Sequence, residues 1–298
     1  MNTNIHVDCD PLWVYASEYG LAPDHRNDTI YTHSLPLLAE MIEQRGLRAT
    51  FFVIGRDLQL PACVQFCQRI LRAGHQIGNH TLSHLDDLHT APPEVRKREI
   101  TACHEAILQA TGHACQGIRC PGYYFDAGLV ETLAEMGYTY DASILPGAGV
   151  YMMSLFYILF NKSGRNKRFG RKWYMFTRRS PHLLGRFAGG NVWEFPLGAF
   201  PILSLPIHST FVFRWGMPYL RAALAFSRAL RPHLVYLFHA IDLLEGSAAG
   251  DVASRVATLR RTLEERSHMV ATALDWLARD PVTTTEDLIS RVCFSGDV

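Results

Sequence analysis

Residues 48–84 read RATFFVIGRDLQLPACVQFCQRILRAGHQIGNHTLSH. The opening run, Arg48 to Gly55, is rich in aromatic and β-branched side chains and stops at a glycine, the pattern of a buried strand. Leu60 to Ala73 then has a helical pattern, and Gln76 to Gly78 is a short strand that runs into a loop. Strands alternating with helices of this length argue for a parallel sheet or barrel. The alternation continues on both sides. Ile5 to Cys9 is a short first strand and Ser34 to Arg45 an amphipathic helix. Pro93 to Thr111 is a helix with proline near its start and Gly112 past its end, and Ala127 to Met136 is a helix stopped by Gly137. The rhythm breaks over residues 146–190 and returns at Val192 to Leu197. Pro218 to Leu230 reads as a helix, Leu234 to Phe238 as a buried strand, and Ala253 to Ala278 as one or two terminal helices. A chain of 298 residues, 48% of them hydrophobic, suits one α/β barrel with a substantial core. The expected organisation is a single barrel over 1–298 interrupted by an insertion at 146–190.

A net charge of +1 gives no reason to expect a nucleic-acid partner. The seven cysteines are odd in number and form neither a zinc ribbon nor a CxxC pair, which fits a reducing cytoplasm. The first residues, MNTNIHVDCD, lack the charged and apolar regions of a signal peptide.

Four groups of residues carry chemistry. Asp8 and Asp10, two apart at the end of the first strand, point the same way. The end of a barrel strand is where barrel enzymes act, although such acids also cap loops. His80 and His84, four apart, would share one face of a helical turn and reach one metal ion, with a carboxylate as third ligand. A chain with fourteen histidines makes such pairs by chance, but this one follows a short strand downstream of the Asp8-Cys9-Asp10 strand end. Arg119, in Ile118-Arg-Cys-Pro-Gly-Tyr-Tyr124, would orient a neighbouring carboxylate. Pro121, Gly122 and Tyr123 would present backbone N–H groups to an oxyanion. The other reading is a surface turn with a solvated arginine. His239 ends the apolar strand Leu234 to Phe238, with Asp242 behind it. It is either an acid/base group at the same mouth or a core histidine.

These groups, in this order, resemble the NodB-homology polysaccharide deacetylases, carbohydrate esterase family 4. Ala49 to Gly55 is similar to that family's second strand, Gly74 to His84 to its metal motif, and Gly137-Tyr-Thr-Tyr-Asp-Ala-Ser143 to its GYxYDxS segment. The resemblance covers most of residues 3–145 and returns around 192–242. It implies a distorted (β/α) barrel of about seven strands and a metal-dependent hydrolase that takes an acetyl or formyl group off an acylated amino sugar. It further implies one divalent ion on Asp10, His80 and His84, zinc being expected and cobalt, manganese or nickel acceptable. Asp8 matches the catalytic base, Arg119 the arginine that tunes it, and His239 the general acid. The DCD motif in place of adjacent aspartates resembles the subgroup of intracellular deacylases and lipid-A-pathway deformylases. Cys120 stands where proline is common, and Gly122-Tyr123 is in altered order, so the substrate stays open. Asp141 either orients a catalytic group or caps a strand. A non-catalytic glycan- or lipid-binding protein on the same barrel is the alternative, and it predicts a broken ligand set.

The insertion has its own signal. Tyr151 to Phe160 (YMMSLFYILF) is apolar except for Ser154 and covers about half a bilayer span. Lys162 to Arg179 then carries eight Lys or Arg and no acid. Such adjacency suggests an anionic membrane surface, with Tyr151, Phe156 and Phe160 at the lipid boundary and Lys167, Arg168, Arg171 and Lys172 at headgroups. The protein would then sit in the cytoplasm or on the inner face of the cytoplasmic membrane, acting on a lipid-linked sugar. A buried hairpin with a solvated loop, and a soluble glycan or small acylated amino sugar, are the other readings.

Overall fold

Strand β1 (Asn2–Asp8) is buried at six of its seven positions, and β2 (Thr50–Val53) at all four. Strands buried on both faces belong inside a parallel sheet covered by helices. The computed structural model, which describes residues 1–85, 88, 90–147, 177–188, 190–200 and 205–295, has this arrangement. The remaining strands are β3 (Gln76–Asn79), β4 (Gly117–Ile118), β5 (Tyr140–Asp141), β6 (His182–Phe187), β7 (Gly190–Glu194) and β8 (His233–His239). They form one sheet in the order β6-β7-β5-β4-β3-β2-β1-β8. Seven strands run parallel, matching the expected number, and β6 turns back antiparallel on β7.

The sheet curls into a half-barrel because the chain beyond β7 crosses from one side to the other. Phe195 N donates to Asp141 O (2.8 Å), Leu197 N to Ile144 O (2.9 Å), and Gly198 N to Val235 O (2.9 Å). A Cβ on Gly198 would lie 2.7 Å from the Val235 carbonyl oxygen, so this crossing requires glycine.

The helices around the sheet are α1 (Leu12–Glu18), α2 (Leu35–Glu43), α3 (Pro61–Arg72), α4 (Pro93–Thr111), α5 (Ala127–Glu135), α6 (Ser209–Trp215), α7 (Met217–Leu230), α8 (Leu263–Leu277) and α9 (Thr285–Ser295). Pro61 and Pro93 open their helices, where a missing N–H costs nothing. Gly112, in the left-handed region at φ 74°, closes α4 as expected.

Three expectations change. Residues Ala253 to Ala278 are not helical throughout: Gly246–Ser254 and Ala257–Arg260 are 3₁₀ stretches, and the α-helix begins only at Leu263. The start is set by a reciprocal cap, in which Thr262 Oγ1 accepts from Glu265 N and Glu265 Oε2 accepts from Thr262 N. Strand β6, which lies inside the expected insertion at 146–190, joins the sheet. Helices α1, α6 and α9 were not anticipated. The six described cysteines are buried, unbridged packing residues; burial pushes Cys103, for example, up to about 12.

Candidate active site

The sheet order sets the expected residues along one rim. Asp8, the last residue of β1, lies in register with Phe52 of β2 and with His239 at the end of β8. Asn79 and Ile118 are paired at the ends of β3 and β4, so His80 and Arg119 leave adjacent strands together.

His80 Nε2 lies 3.2 Å from Asp10 Oδ1, and His84 Nε2 lies 3.6 Å from the same oxygen. One ligand atom from each residue falls within 4.8 Å of the others. His80 Nδ1 is 2.6 Å from the Arg119 carbonyl and must donate to it. That fixes the tautomer and leaves Nε2 as a lone pair facing the carboxylate, the usual second contact of a metal-ligating histidine. Asp10 Oδ1 is buried and accepts no well-formed hydrogen bond among the described residues. A lone pair against a carboxylate oxygen needs a cation or a proton between them, so this donor set fits a divalent metal. Burial opposes ionisation of Asp10, but the neighbouring His80 and His84 imidazoles outweigh it and hold the carboxyl below the usual range.

The histidine pair is not on a helical turn, contrary to the expectation. Thr81 and His84 have φ of 64° and 51°. The backbone groups that a helix would use are taken elsewhere. Thr81 N donates to Asn79 Oδ1, Leu82 N to the Glu99 carbonyl, and Ser83 N to the Glu99 carboxylate, while Gly55 N and Arg56 N donate to Thr81 O and Leu82 O. Non-glycine residues held at positive φ cost of order 1–3 kcal/mol each and gather at functional sites.

Arg119 is fully buried, which removes the reading of a solvated surface turn. Its Nε lies 3.2 Å from Asp8 Oδ1 and its guanidinium sits over the Phe52 ring, 4.8 Å from the centroid. Arg119 Nη2 donates to His6 Nδ1, and His6 Nε2 donates to Thr285 Oγ1 (2.8 Å) at the start of α9. Burial, then the Arg119 charge, keeps His6 neutral. Sequence reasoning missed both His6 and Thr285, because neither belongs to a motif.

Pro121–Tyr123 forms a tight turn with Gly122 at φ 63° and Tyr123 at φ 60°. Pro121 has no N–H, so it shapes the turn and cannot donate, a correction to the expected donor set; the donors there belong to Gly122 and Tyr123. Asp141 braces this turn: Ser143 Oγ donates to Asp141 Oδ1 (2.5 Å) and accepts from Cys120 N (2.8 Å). Asp141 thus reaches the turn through Ser143. Glu194, missed in the sequence, pairs with Asp141 in register on β7 and accepts from Ile144 N. Burial, then the Asp141 charge, pushes Glu194 far up, so the pair keeps a proton.

His239 Nδ1 lies 3.3 Å from Ser209 Oγ, and its backbone N donates to Asp242 Oδ2 (2.9 Å). Arg266, buried in α8, donates to the carbonyls of Asp242 (2.6 Å) and Leu244 (2.7 Å) and fixes this loop. Tyr151, Phe156, Phe160, Lys167, Arg168, Arg171 and Lys172 lie outside the described residues. No helix among the described residues is long and apolar enough to cross a membrane.

The Asp8-Cys9-Asp10 loop is pinned through α1. Trp13 Nε1 donates to Asp57 Oδ1 (2.9 Å) and Tyr31 OH to Asp57 Oδ2 (2.7 Å). Burial pushes Asp57 up to about 6 against these two hydrogen bonds. An unfolded aspartate ionises near ~3.9. Between these values the folded chain holds a proton that the unfolded chain has released. The contribution to stability is therefore full below the unfolded pKa and is lost as pH rises through the folded one. We predict that wild type loses on the order of 1–3 kcal/mol relative to Asp57→Asn between about pH 4 and about pH 7, by denaturant unfolding. A pH-independent difference would show that Asp57 does not titrate in this range.

Residues 27–140, the stretch holding the histidine pair and Arg119, match the family model for polysaccharide deacetylase. The chain carries a polysaccharide deacetylase domain of the NodB-homology type. Over 106 residues the domain is 31% identical to a chitin deacetylase of Colletotrichum lindemuthianum, which is 35% of this chain and 42% of that protein. It is 31% identical over 106 residues to a peptidoglycan-N-acetylglucosamine deacetylase of Bacillus cereus, covering 35% and 36%. It is 30% identical over 103 residues to a chitooligosaccharide deacetylase of a Bradyrhizobium species, covering 34% and 46%. The match thus spans less than half of each of these relatives. Among solved structures, a Mycobacterium smegmatis protein described as a candidate polysaccharide deacetylase superposes with a TM-score of 0.65 at 16% identity, covering 100% of this chain and 91% of that one. A carbohydrate esterase family 4 pseudoenzyme from Bacillus anthracis superposes at 0.50 and 12% identity, covering 96% and 64%. Both likenesses concern the deacetylase fold.

Proposed function

We propose that this chain is a metal-dependent hydrolase that removes an N-acyl group, acetyl or formyl, from an acylated amino sugar. The observation that carries the reading is the convergence of Asp10, His80 and His84 beside the buried Asp8–Arg119 pair. The relatives named above, described as deacetylases of chitin, peptidoglycan and chitooligosaccharide, support it. A complete ligand set favours an enzyme over a non-catalytic binder on the same barrel.

A divalent ion on Asp10, His80 and His84 would supply Lewis-acid chemistry. The chain's own groups do the rest. Asp8, held in place by Arg119, accepts a proton from the attacking water. The N–H groups of Gly122 and Tyr123 face the oxyanion that develops on the carbonyl oxygen. His239, fixed on one edge by Ser209, protonates the leaving amine from the other. Water adds to the carbonyl carbon, the C–N bond breaks, and a carboxylic acid and a free amino sugar leave.

Mass spectrometry of glycan and lipid extracts tests this. Cells lacking the gene should accumulate an amino sugar heavier by one acetyl or formyl group, and zinc-loaded protein should release that acid from the extract. Identical extracts together with no acid released from N-acetylated or N-formylated sugars would sink the proposal, and the size of the group lost separates deacetylation from deformylation.

A further inference from the structure

The pairing of Arg119 with Asp8 is one-sided. The edge of a guanidinium made by Nε and Nη2 matches the two oxygens of a carboxylate, and arginine–carboxylate pairs commonly use both bonds at once. Here that edge is divided between two partners. Nε lies 3.2 Å from Asp8 Oδ1 without a well-formed hydrogen bond, while Nη2 donates to His6 Nδ1.

The surroundings of His6 suit it to take that donor. Residues two apart on a strand share a face, so His6 and Asp8 of β1 both meet Arg119. His6 is fully buried, and its Nε2 donates to Thr285 Oγ1 (2.8 Å), which leaves Nδ1 as an acceptor. Phe52 lies against both groups: its ring centroid is 5.1 Å from that of His6 and 4.8 Å from the guanidinium carbon. A Cβ on Gly78 would come within 2.5 Å of the Phe52 ring, so only glycine there leaves Phe52 this place. The guanidinium thus rests on a ring, and His6 decides how it is turned.

We propose that His6 is a positioning residue: by holding Nη2 it stops Arg119 from closing both N–H groups on Asp8, and so keeps one Asp8 oxygen open to the attacking water. This rests on the role of Asp8 as base proposed above. Without an acceptor at position 6, a buried Nη2 would be left unpaired, and the second oxygen of Asp8 is the group that could satisfy it. Both oxygens would then face the guanidinium, and the carboxylate would turn from the water. An imidazole lone pair takes the donor without bringing a second negative charge to Arg119. The competing role is packing alone, with His6 tying β1 to α9 through Thr285.

The test pairs kinetics with crystallography on zinc-loaded protein, reading acetate released from penta-N-acetylchitopentaose. His6→Phe keeps a ring and removes the acceptor. Its kcat should fall roughly 10- to 100-fold, the scale of a small misplacement of a reacting group, with KM within about threefold and zinc content unchanged. In Asp8→Asn protein the same change should cost less than about threefold, because no carboxylate is left to be captured. Two amides separate the acceptor from the bulk of the ring. His6→Asn puts its amide near the place of Nδ1 and should recover most of the lost kcat, whereas His6→Gln puts its amide near the place of Nε2 and should stay as slow as His6→Phe. These two read out even where His6→Phe fails to fold. In the crystal structure of His6→Phe or His6→Gln, Arg119 Nε and Nη2 should each lie about 3 Å from an Asp8 oxygen. The proposal is overturned if the Asn and Gln variants have equal kcat, or if His6→Phe costs as much in Asp8→Asn as in the parent, either of which makes His6 a packing residue. It is also overturned if Arg119 keeps its one-sided contact with Asp8 in the variant structure. Failure here is separable from failure of the proposed function, because the structure needs no turnover. Wild type that releases no acid from any N-acylated sugar removes the hydrolase reading, and the position of Arg119 in the variant still decides whether His6 divides its edge.

Discussion

Asp8→Asn is expected to retain its metal and its fold while losing roughly 10²–10⁴-fold in turnover on an N-acylated amino sugar, the usual worth of a positioned general base. The substitution is nearly isosteric. The amide oxygen can still face Arg119 Nε, which lies 3.2 Å from Asp8 Oδ1 in the wild type, so the Arg119–His6–Thr285 line behind it has no reason to move. What is lost is the ability to take a proton from water. Elemental analysis and thermal unfolding should therefore match wild type while kcat falls. A variant that turns over within a few-fold of wild type would place the base elsewhere on the rim.

The second large effect concerns the ligand set. Replacing His80 and His84 together with alanine should abolish stoichiometric metal and reduce activity by roughly 10³-fold or more, since Lewis-acid stabilisation is worth several kcal/mol. It should also uncouple stability from metal. A ligand that binds only the folded state at 100 times its Kd stabilises by about 2.7 kcal/mol, so the melting temperature of wild type should rise on adding zinc, and that of the variant should not. The backbone at Thr81 and His84 is held at positive φ by Asn79 and Glu99, independently of the imidazoles, so the loop itself should survive. Equal metal content in wild type and variant would remove Asp10, His80 and His84 as the ligands.

Much of this was legible in the sequence where the signal is local. Pro93 and Gly112 bound a helix by backbone chemistry that depends on no distant residue, and α4 begins and ends where they predict. The order of the strand-end motifs was enough to place Asp8, His80, Arg119 and His239 on one rim. The spacing of His80 and His84 was read correctly as convergence but wrongly as a helical turn. The loop takes its shape from Glu99, sixteen residues away, which captures Ser83 from another element. His6 and Glu194 went unseen for the same reason. A single polar residue in an apolar stretch looks alike whether it supports an arginine or shares a proton. Helices α1 and α6 are seven residues each, too short to establish a period, and exist because the barrel packs against them.

The way the ends of the described chain meet has a consequence for assembly. Thr3 N donates to Pro281 O, Thr283 N donates to Thr3 O, and Asn4 Nδ2 donates to Thr283 O, while β1 takes its second sheet partner from β8. Strand β1 thus meets two of its neighbours only some 230 to 280 residues further along the chain. Contacts of such sequence separation form slowly, because the entropy of closing the loop is lost before any contact is gained. The line from Arg119 through His6 to Thr285 draws on the same distant segment, so it is completed only with that closure.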